Sequence, residues 1–169
     1  MKGTGMADRI REGGCGCGHV RYRVEGEPMM VHNCHCRLCQ RQTGSTSVVN
    51  AFFEGDRVDL LQGELTEHEI LTGSGRTHTI CRCKACGTAL WSWYARLGRL
   101  SYGVRAGTLD DPDSVTPDVV IFTESKMPWV ALPEGIPAFE QYYDFREVLA
   151  PDKLDRLMAL VARREAGEG

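Results

Sequence analysis

Three short stretches hold all eight cysteines of this 169-residue chain, at positions 15, 17, 34, 36, 39, 81, 83 and 86. In Cys15-Gly16-Cys17-Gly18 two thiolates stand two positions apart, and the flanking glycines permit a turn tight enough for both sulfurs to reach one ion. Cys83-Lys84-Ala85-Cys86-Gly87 is a C-x-x-C knuckle whose glycine lets backbone amides approach the sulfurs. Together the pairs supply four thiolates, the closed tetrahedral set of structural zinc. Such a site would clip the first strand to the hairpin that ends near residue 86. The alternative is that one or both pairs are small buried residues.

Cys34-His35-Cys36-Arg37-Leu38-Cys39 packs three further thiolates into six residues. If Cys36 to Cys39 opens a helix, those two sulfurs face one side and Cys34 reaches in from the entering strand. Three ligands with no obvious fourth cysteine fit an open zinc site, which keeps a position for water or substrate. In the competing reading Cys81, His32 or His35 closes the coordination and makes it inert. His35, between two ligands, is expected to point away from the metal. Cys81 packs most simply as a small apolar residue, and secondarily as a redox partner. No Ser-His-Asp set, phosphate loop or paired-carboxylate site is present; Asp110 and Asp111 fall in a turn.

The rest of the chain must position these groups. Its length fits one domain, with residues 8–147 as a zinc-binding β domain and 148–169 as a C-terminal helix and tail. A hydrophobic share of 42% and a charged share of 25% are those of a globular protein and exclude an extended disordered chain. Net charge −3 and pI near 6.0 give no attraction to phosphate backbones or anionic lipid, so neither nucleic acid nor membrane is an expected partner. The opening MKGTGMADRIREGG has no apolar h-region and no run reaches the length of a membrane span. That predicts a reducing cytoplasm, where clustered cysteines bind metal or do redox chemistry instead of forming a disulfide framework. Met6 could be the natural start, with Met1–Gly5 an upstream extension.

From Arg9 to about Phe122 the apolar pattern has mostly a period of two, which predicts a mainly β fold. Val20, Tyr22 and Val24 alternate with polar residues, and Val48 to Phe53 is a short apolar run. Glu67–Leu71 and Thr77–Cys81 flank Gly73-Ser74-Gly75, a hairpin signal. Ala89, Trp91 and Trp93 form a further strand, as do Leu100, Tyr102 and Val104, and Val119 to Phe122. Residues 107–137 otherwise read as loop. A short helix is predicted over Arg37–Gln42 with Gly44 as its C-cap. A C-terminal helix starts at Pro151, and its apolar stripe of Leu154, Leu157, Met158 and Val161 would dock on the sheet.

Three ordered segments carry a resemblance: Gly14-Cys15-Gly16-Cys17-Gly18-His19-Val20-Arg21-Tyr22, then Cys34 through Ser45, then Cys83-Lys84-Ala85-Cys86-Gly87-Thr88. Ala106-Gly107-Thr108-Leu109-Asp110 and the stretch from Ile121-Phe122 through Lys126-Met127-Pro128-Trp129 agree. Over roughly residues 10 to 140 the chain resembles the glutathione-dependent formaldehyde-activating enzyme family, which includes centromere protein V-like proteins. The resemblance implies a β-tent fold with two zinc ions. Cys15, Cys17, Cys83 and Cys86 would hold the structural one, and Cys34, Cys36 and Cys39 the catalytic, exchangeable one. Many relatives carry a histidine immediately before the Ile-Phe pair, where this chain has Val120.

The implied activity joins a small thiol and an aldehyde: formaldehyde and glutathione give S-hydroxymethylglutathione, a carbon–sulfur lyase reaction by class. Zinc with three thiolates has a net charge of about −1, so it is a soft Lewis acid. It could take the glutathione thiol as fourth ligand or polarise the aldehyde oxygen. Arg37, Arg41 and Lys126 are candidate partners for the glutathione carboxylates; as solvated charges they need no function. Trp91, Trp93 and Trp129 are candidate lining residues, with ordinary packing the simpler role for the first two. Because hemithioacetals also form without a catalyst, a non-catalytic thiol carrier is an alternative. A scaffold like the centromere-associated relatives would want a basic tail, and only Arg163-Arg164 is present. A methionine sulfoxide reductase would explain the paired cysteines but not the trio.

Overall fold

The computed structural model describes residues 9–72 and 74–169. The possible extension at Met1–Gly5, the start at Met6, the proposed boundary at residue 8 and Gly73 of the hairpin signal lie outside the described residues.

In chain order the elements are β1 (Ile10–Gly14), β2 (Arg21–Glu25), β3 (Met30–Cys34), α1 (Arg37–Thr43), β4 (Val48–Glu54), β5 (Val58–Gln62), β6 (Leu65–Leu71), β7 (Thr77–Cys83), β8 (Ala89–Tyr94), β9 (Ser101–Arg105), β10 (Val119–Ile121), α2 (Phe145–Val148) and α3 (Pro151–Glu165). The fold is mainly β. A three-stranded sheet runs β1-β2-β5, and a seven-stranded sheet runs β10-β3-β4-β9-β8-β7-β6. All pairs are antiparallel except β10 on β3. No helix among the described residues is long and apolar enough to cross a membrane.

Alternation along the strands sorts the larger sheet into two faces. Val31, Ala51, Val104, Trp91 and Cys81 lie opposite one another in a row across five strands. This row packs against Val20, Tyr22 and Val24 of the smaller sheet to form the main core. The next row on the other face is Val119, His32, Asn50 and Arg105. That face carries most of the polar chemistry of the fold, and the C-terminal segment covers it. Leu149, Leu157 and Leu160 pack there on Met29, Met30, Phe52, Leu97 and Leu100. Arg156 of α3 anchors the cover with a bidentate contact to Glu54, 2.7 Å to each oxygen.

Several elements differ from the sequence reading. In β1 only Ile10 is apolar and it points to solvent, while Arg11 and Gly13 point inward, so its period is inverted and gives no strand signal. β5 has exposed leucines at 60 and 61, and β3 is buried on both faces, so neither alternates as expected. α3 begins at Pro151 as predicted, but Met158 is exposed and Leu160 completes the buried stripe. At about 100° per residue, position 158 falls at the edge of the arc centred on Leu157, whereas 160, 161 and 154 fall inside it.

Candidate metal centre and substrate cavity

The first cysteine group joins the two sheets. Cys15 and Cys17 follow β1, and Cys83 and Cys86 lie at the end of β7 and in the turn before β8. Each pair sits in a turn closed by a glycine in the left-handed region: Gly18 (φ 76°) donates to the Cys15 carbonyl and Gly87 (φ 75°) to that of Cys83. The four sulfurs lie within 4.8 Å of one another. Cys15 and Cys17 are 3.5 Å apart, and Cys17 and Cys83 4.0 Å. Four sulfurs at Zn–S bond length around one ion would stand about 3.8 Å apart, so this donor set fits zinc. The Val20 N–H donates to Cys15 Sγ at 3.2 Å, and the Thr88 hydroxyl, foremost among several contacts, holds the Cys86 thiol down at about 5. Both contacts favour thiolates.

Cys34, Cys36 and Cys39 form the second group, again within 4.8 Å, with Cys34 and Cys39 at 3.5 Å. Cys34 ends β3. Cys36 is the N-cap of α1, where its sulfur accepts the Cys39 N–H at 3.3 Å. Cys39 follows one turn later, and Gly44 caps the helix by donating to Gln40 O at 2.8 Å. Hydrogen bonds from Cys34 and Cys39 hold the Cys36 thiol down to about 2. The same contacts, with burial, push Cys34 far above the usual thiol range. Three thiolates this close repel one another, so full ionisation requires a cation. Spacing and donor chemistry both fit a metal ion held by three sulfurs.

None of the three residues considered as a closing ligand joins that group among the described residues. Cys81 lies on the other face of the sheet, in the main core beside Trp91. His32 shares the face, but its Nε2 is 2.8 Å from the Tyr143 hydroxyl, and burial pushes it down to about 4. The ring nitrogens of His35 are buried without hydrogen-bond partners and do not meet the sulfurs.

Beside the trio opens a cavity of about 700 Å³. Cys34, Cys36, Cys39 and Arg37 line one end, Met30, Phe52, Leu97 and Leu157 line the other, and Phe145 packs against both groups. Asn50, His78 and Tyr94 form the sheet floor, with the His78 ring stacked on Tyr94 at 4.2 Å. Burial, then the charge of Arg105, pushes His78 down to about 4, so it is neutral. Phe122 on the wall has φ 58°, the one non-glycine residue of the described chain in the left-handed region, where backbone strain is stored.

Arg105 lies beneath that floor, 4% exposed. It donates to Asn50 Oδ1 and to Ser92 Oγ (3.0 Å), and its Nε has no partner. No carboxylate pairs with it among the described residues. A lone buried cation is costly unless negative charge is near, and its field reaches Cys39. Three thiolates around one divalent ion would leave about one negative charge for it to balance. Neither Asn50 nor Arg105 carries a sequence signal, because nothing in the local pattern reveals that strand pairing sets them beside the cysteines.

The basic candidates separate. Arg37 lines the cavity, its guanidinium held by Gln40 Oε1 at 2.8 Å, and Gln40 is itself fixed by the carbonyls of His35 and Ser125. Arg41 is absent from that cavity and lines a second, more open hollow that Arg37 and Gln40 also border, with Ser45, Thr46 and Met127. Lys126 donates to the carbonyls of Met127 and Val130 at 3.1 and 2.7 Å. Trp91 and Trp93 belong to the main core, and Trp129 is exposed outside the cavity. Val120 pairs with Asn33, on the face of β10 opposite the one that Val119 and Ile121 pack beside Cys34. A side chain at that position therefore points away from the trio.

A curated protein of Halomonas elongata named "Putative glutathione-dependent formaldehyde-activating enzyme" is 28% identical over 130 residues, which span 73% of this chain and 81% of that protein. A Rhodobacter sphaeroides protein of known crystal structure superposes with TM-score 0.42 and 19% identity, over 76% of this chain and 98% of its own. The sequence family described as glutathione-dependent formaldehyde-activating enzyme matches residues 10–125, a span that contains both sulfur clusters and the sheet floor between them. The chain belongs to the glutathione-dependent formaldehyde-activating enzyme family.

Proposed function

We propose that the chain is a zinc enzyme that joins glutathione and formaldehyde to give S-hydroxymethylglutathione, a carbon–sulfur lyase by reaction class, working in the cytoplasm on a β-tent scaffold. Family membership supports the reaction. The observation that carries the reading is the three-sulfur group opening on a cavity, beside a four-sulfur group that is not part of that cavity. Cys15, Cys17, Cys83 and Cys86 would hold a structural zinc that ties the sheets together, and Cys34, Cys36 and Cys39 a catalytic one. A zinc ion with three thiolates supplies a soft Lewis-acid position at which a thiol ionises or an aldehyde oxygen is polarised.

The chain's own residues do the rest. Arg37, oriented by Gln40, meets a glutathione carboxylate at the cavity mouth. An arginine only donates, so Asn50 turns its oxygen to Arg105 and presents its Nδ2 donor to the cavity. That donor receives the aldehyde oxygen. The thiol sulfur bonds the aldehyde carbon, the carbonyl π bond breaks, and the thiol proton ends on the oxygen. As that oxygen gains charge, a pre-oriented N–H in an apolar pocket is worth more than water.

The test is zinc counting on wild type and Cys36→Ser, with glutathione titrated into both. Two zinc ions, one lost on mutation together with thiol binding, support the reading. A second zinc that glutathione never perturbs overturns it. Acceleration over the uncatalysed formaldehyde reaction then separates an enzyme from a thiol carrier.

A further inference from the structure

Formaldehyde and glutathione leave most of the cavity wall unexplained. Met30 lies four residues along β3 from Cys34, so the apolar end is about 13 Å from the trio. Formaldehyde has no substituent to reach it. The peptide groups of glutathione would lose their hydrogen bonds against Phe52, Leu97 and Leu157. The tripeptide therefore belongs at the rim, where Arg37, Arg76 and Arg96 stand. None of the three takes part in an ion pair with a described residue, and no Asp or Glu lines the cavity among the described residues. An anionic group is matched at the mouth and an apolar one inside.

Part of the inner wall lies outside the family match. Phe145 and Leu157 lie beyond residue 125, where the family match ends. α3 holds Leu157 against the sheet, and Arg156 locks that helix to Glu54. The segment beyond the family match thus adds to an apolar end whose Met30, Phe52 and Leu97 lie within the match.

We propose that the aldehyde half of the adduct carries a large apolar substituent, alkyl or aryl, which fills the space between Asn50 and Leu157. The proposal rests on the reading of this site as one for thiol–aldehyde adducts. The chemistry is unchanged: the thiol sulfur bonds the carbonyl carbon, the C=O π bond breaks, the thiol proton goes to the oxygen, and nothing is oxidised or reduced.

Calorimetric titration of the zinc-loaded full chain with S-methyl-, S-hexyl- and S-benzylglutathione measures the cavity without turnover. Affinity should rise about fourfold per buried methylene, hence at least a hundredfold from S-methyl to S-hexyl. Leu157→Met, close in volume, should alter that gain while leaving S-methylglutathione affinity and the thermal midpoint near wild type; a gain it does not touch would place the alkyl group elsewhere and overturn the proposal. If Leu157→Met does not fold, Leu97→Met, also close in volume, replaces it and should alter the S-hexyl to S-methyl ratio. Equal affinity for the three ligands, or no binding of any, overturns the proposal. Acceleration of hemithioacetal formation is then compared for formaldehyde, hexanal and benzaldehyde. Formaldehyde turnover with flat affinities would defeat the substrate class alone. Rising affinities with no aldehyde accelerated would defeat the enzymatic reading and keep the cavity assignment.

Discussion

Arg105 and Asn50 lie directly opposite one another on β9 and β4, and the buried guanidinium donates to the Asn50 side-chain oxygen. One contact thereby performs two tasks. It fixes the orientation of an amide in the cavity floor, and it sets a positive charge near a cysteine trio that becomes negative when metallated.

Asn50→Asp keeps an acceptor for Arg105 but removes the N–H donor. The folded state should survive, while kcat falls about 10²-fold and KM for glutathione changes little. A variant with unaltered kcat would remove Asn50 from the mechanism.

The two sulfur groups should respond differently to loss of one ligand. Cys86→Ser breaks the link between the sheets, so it should release one metal ion and lower the thermal midpoint clearly. Cys36→Ser should release the other ion with a smaller change in midpoint but loss of activity. Metal analysis alongside thermal unfolding checks both, and equal midpoints would contradict the division of roles.

Of Arg37, Arg41 and Lys126, only Arg37 lines the cavity, and it also borders the hollow that Arg41 lines. Arg37→Ala should raise KM for glutathione about tenfold with kcat nearly kept, the size expected for one partly solvated charge-assisted hydrogen bond. Arg41→Ala should match wild type. Steady-state kinetics across a glutathione series decides between them, and the reverse ranking would move the binding mode to the hollow beside Met127.

Acid should weaken the fold through His78, which stays neutral in the folded chain down to about 4 against an ordinary 6.5. Between those values the unfolded chain takes a proton that the folded chain refuses. Stability is therefore fully present above pH 6.5 and declines as pH falls toward 4. In urea unfolding at a series of pH values, the stability of wild type relative to His78→Phe should fall steadily over this window. A constant difference would show that His78 does not titrate as its burial requires.

Much of this molecule can be read along the chain, because the signals are local. Chelating pairs need partners within two or three residues, so Cys15-Cys17, Cys34-Cys36-Cys39 and Cys83-Cys86 announce themselves. α1 and α3 follow from a glycine cap, an N-terminal proline and apolar spacing. β1 escapes for an equally local reason: its inward residues are Arg11 and Gly13, whose burial depends on partners such as Glu27, 16 positions beyond Arg11.

Local pattern along the chain says which residues can chelate and that most of the chain alternates as strands. Tertiary structure decided which sulfurs meet, since Cys83 reaches Cys17 only when two separate sheets pack together. It also decided that Cys81 is a core residue, because a strand sends alternate side chains to opposite faces and register alone fixes which face holds the trio. His78, Asn50, Arg105 and Leu157 meet around one cavity although up to 107 positions separate them, from Asn50 to Leu157. Their encounter depends on strand order and helix docking, which no local spacing encodes.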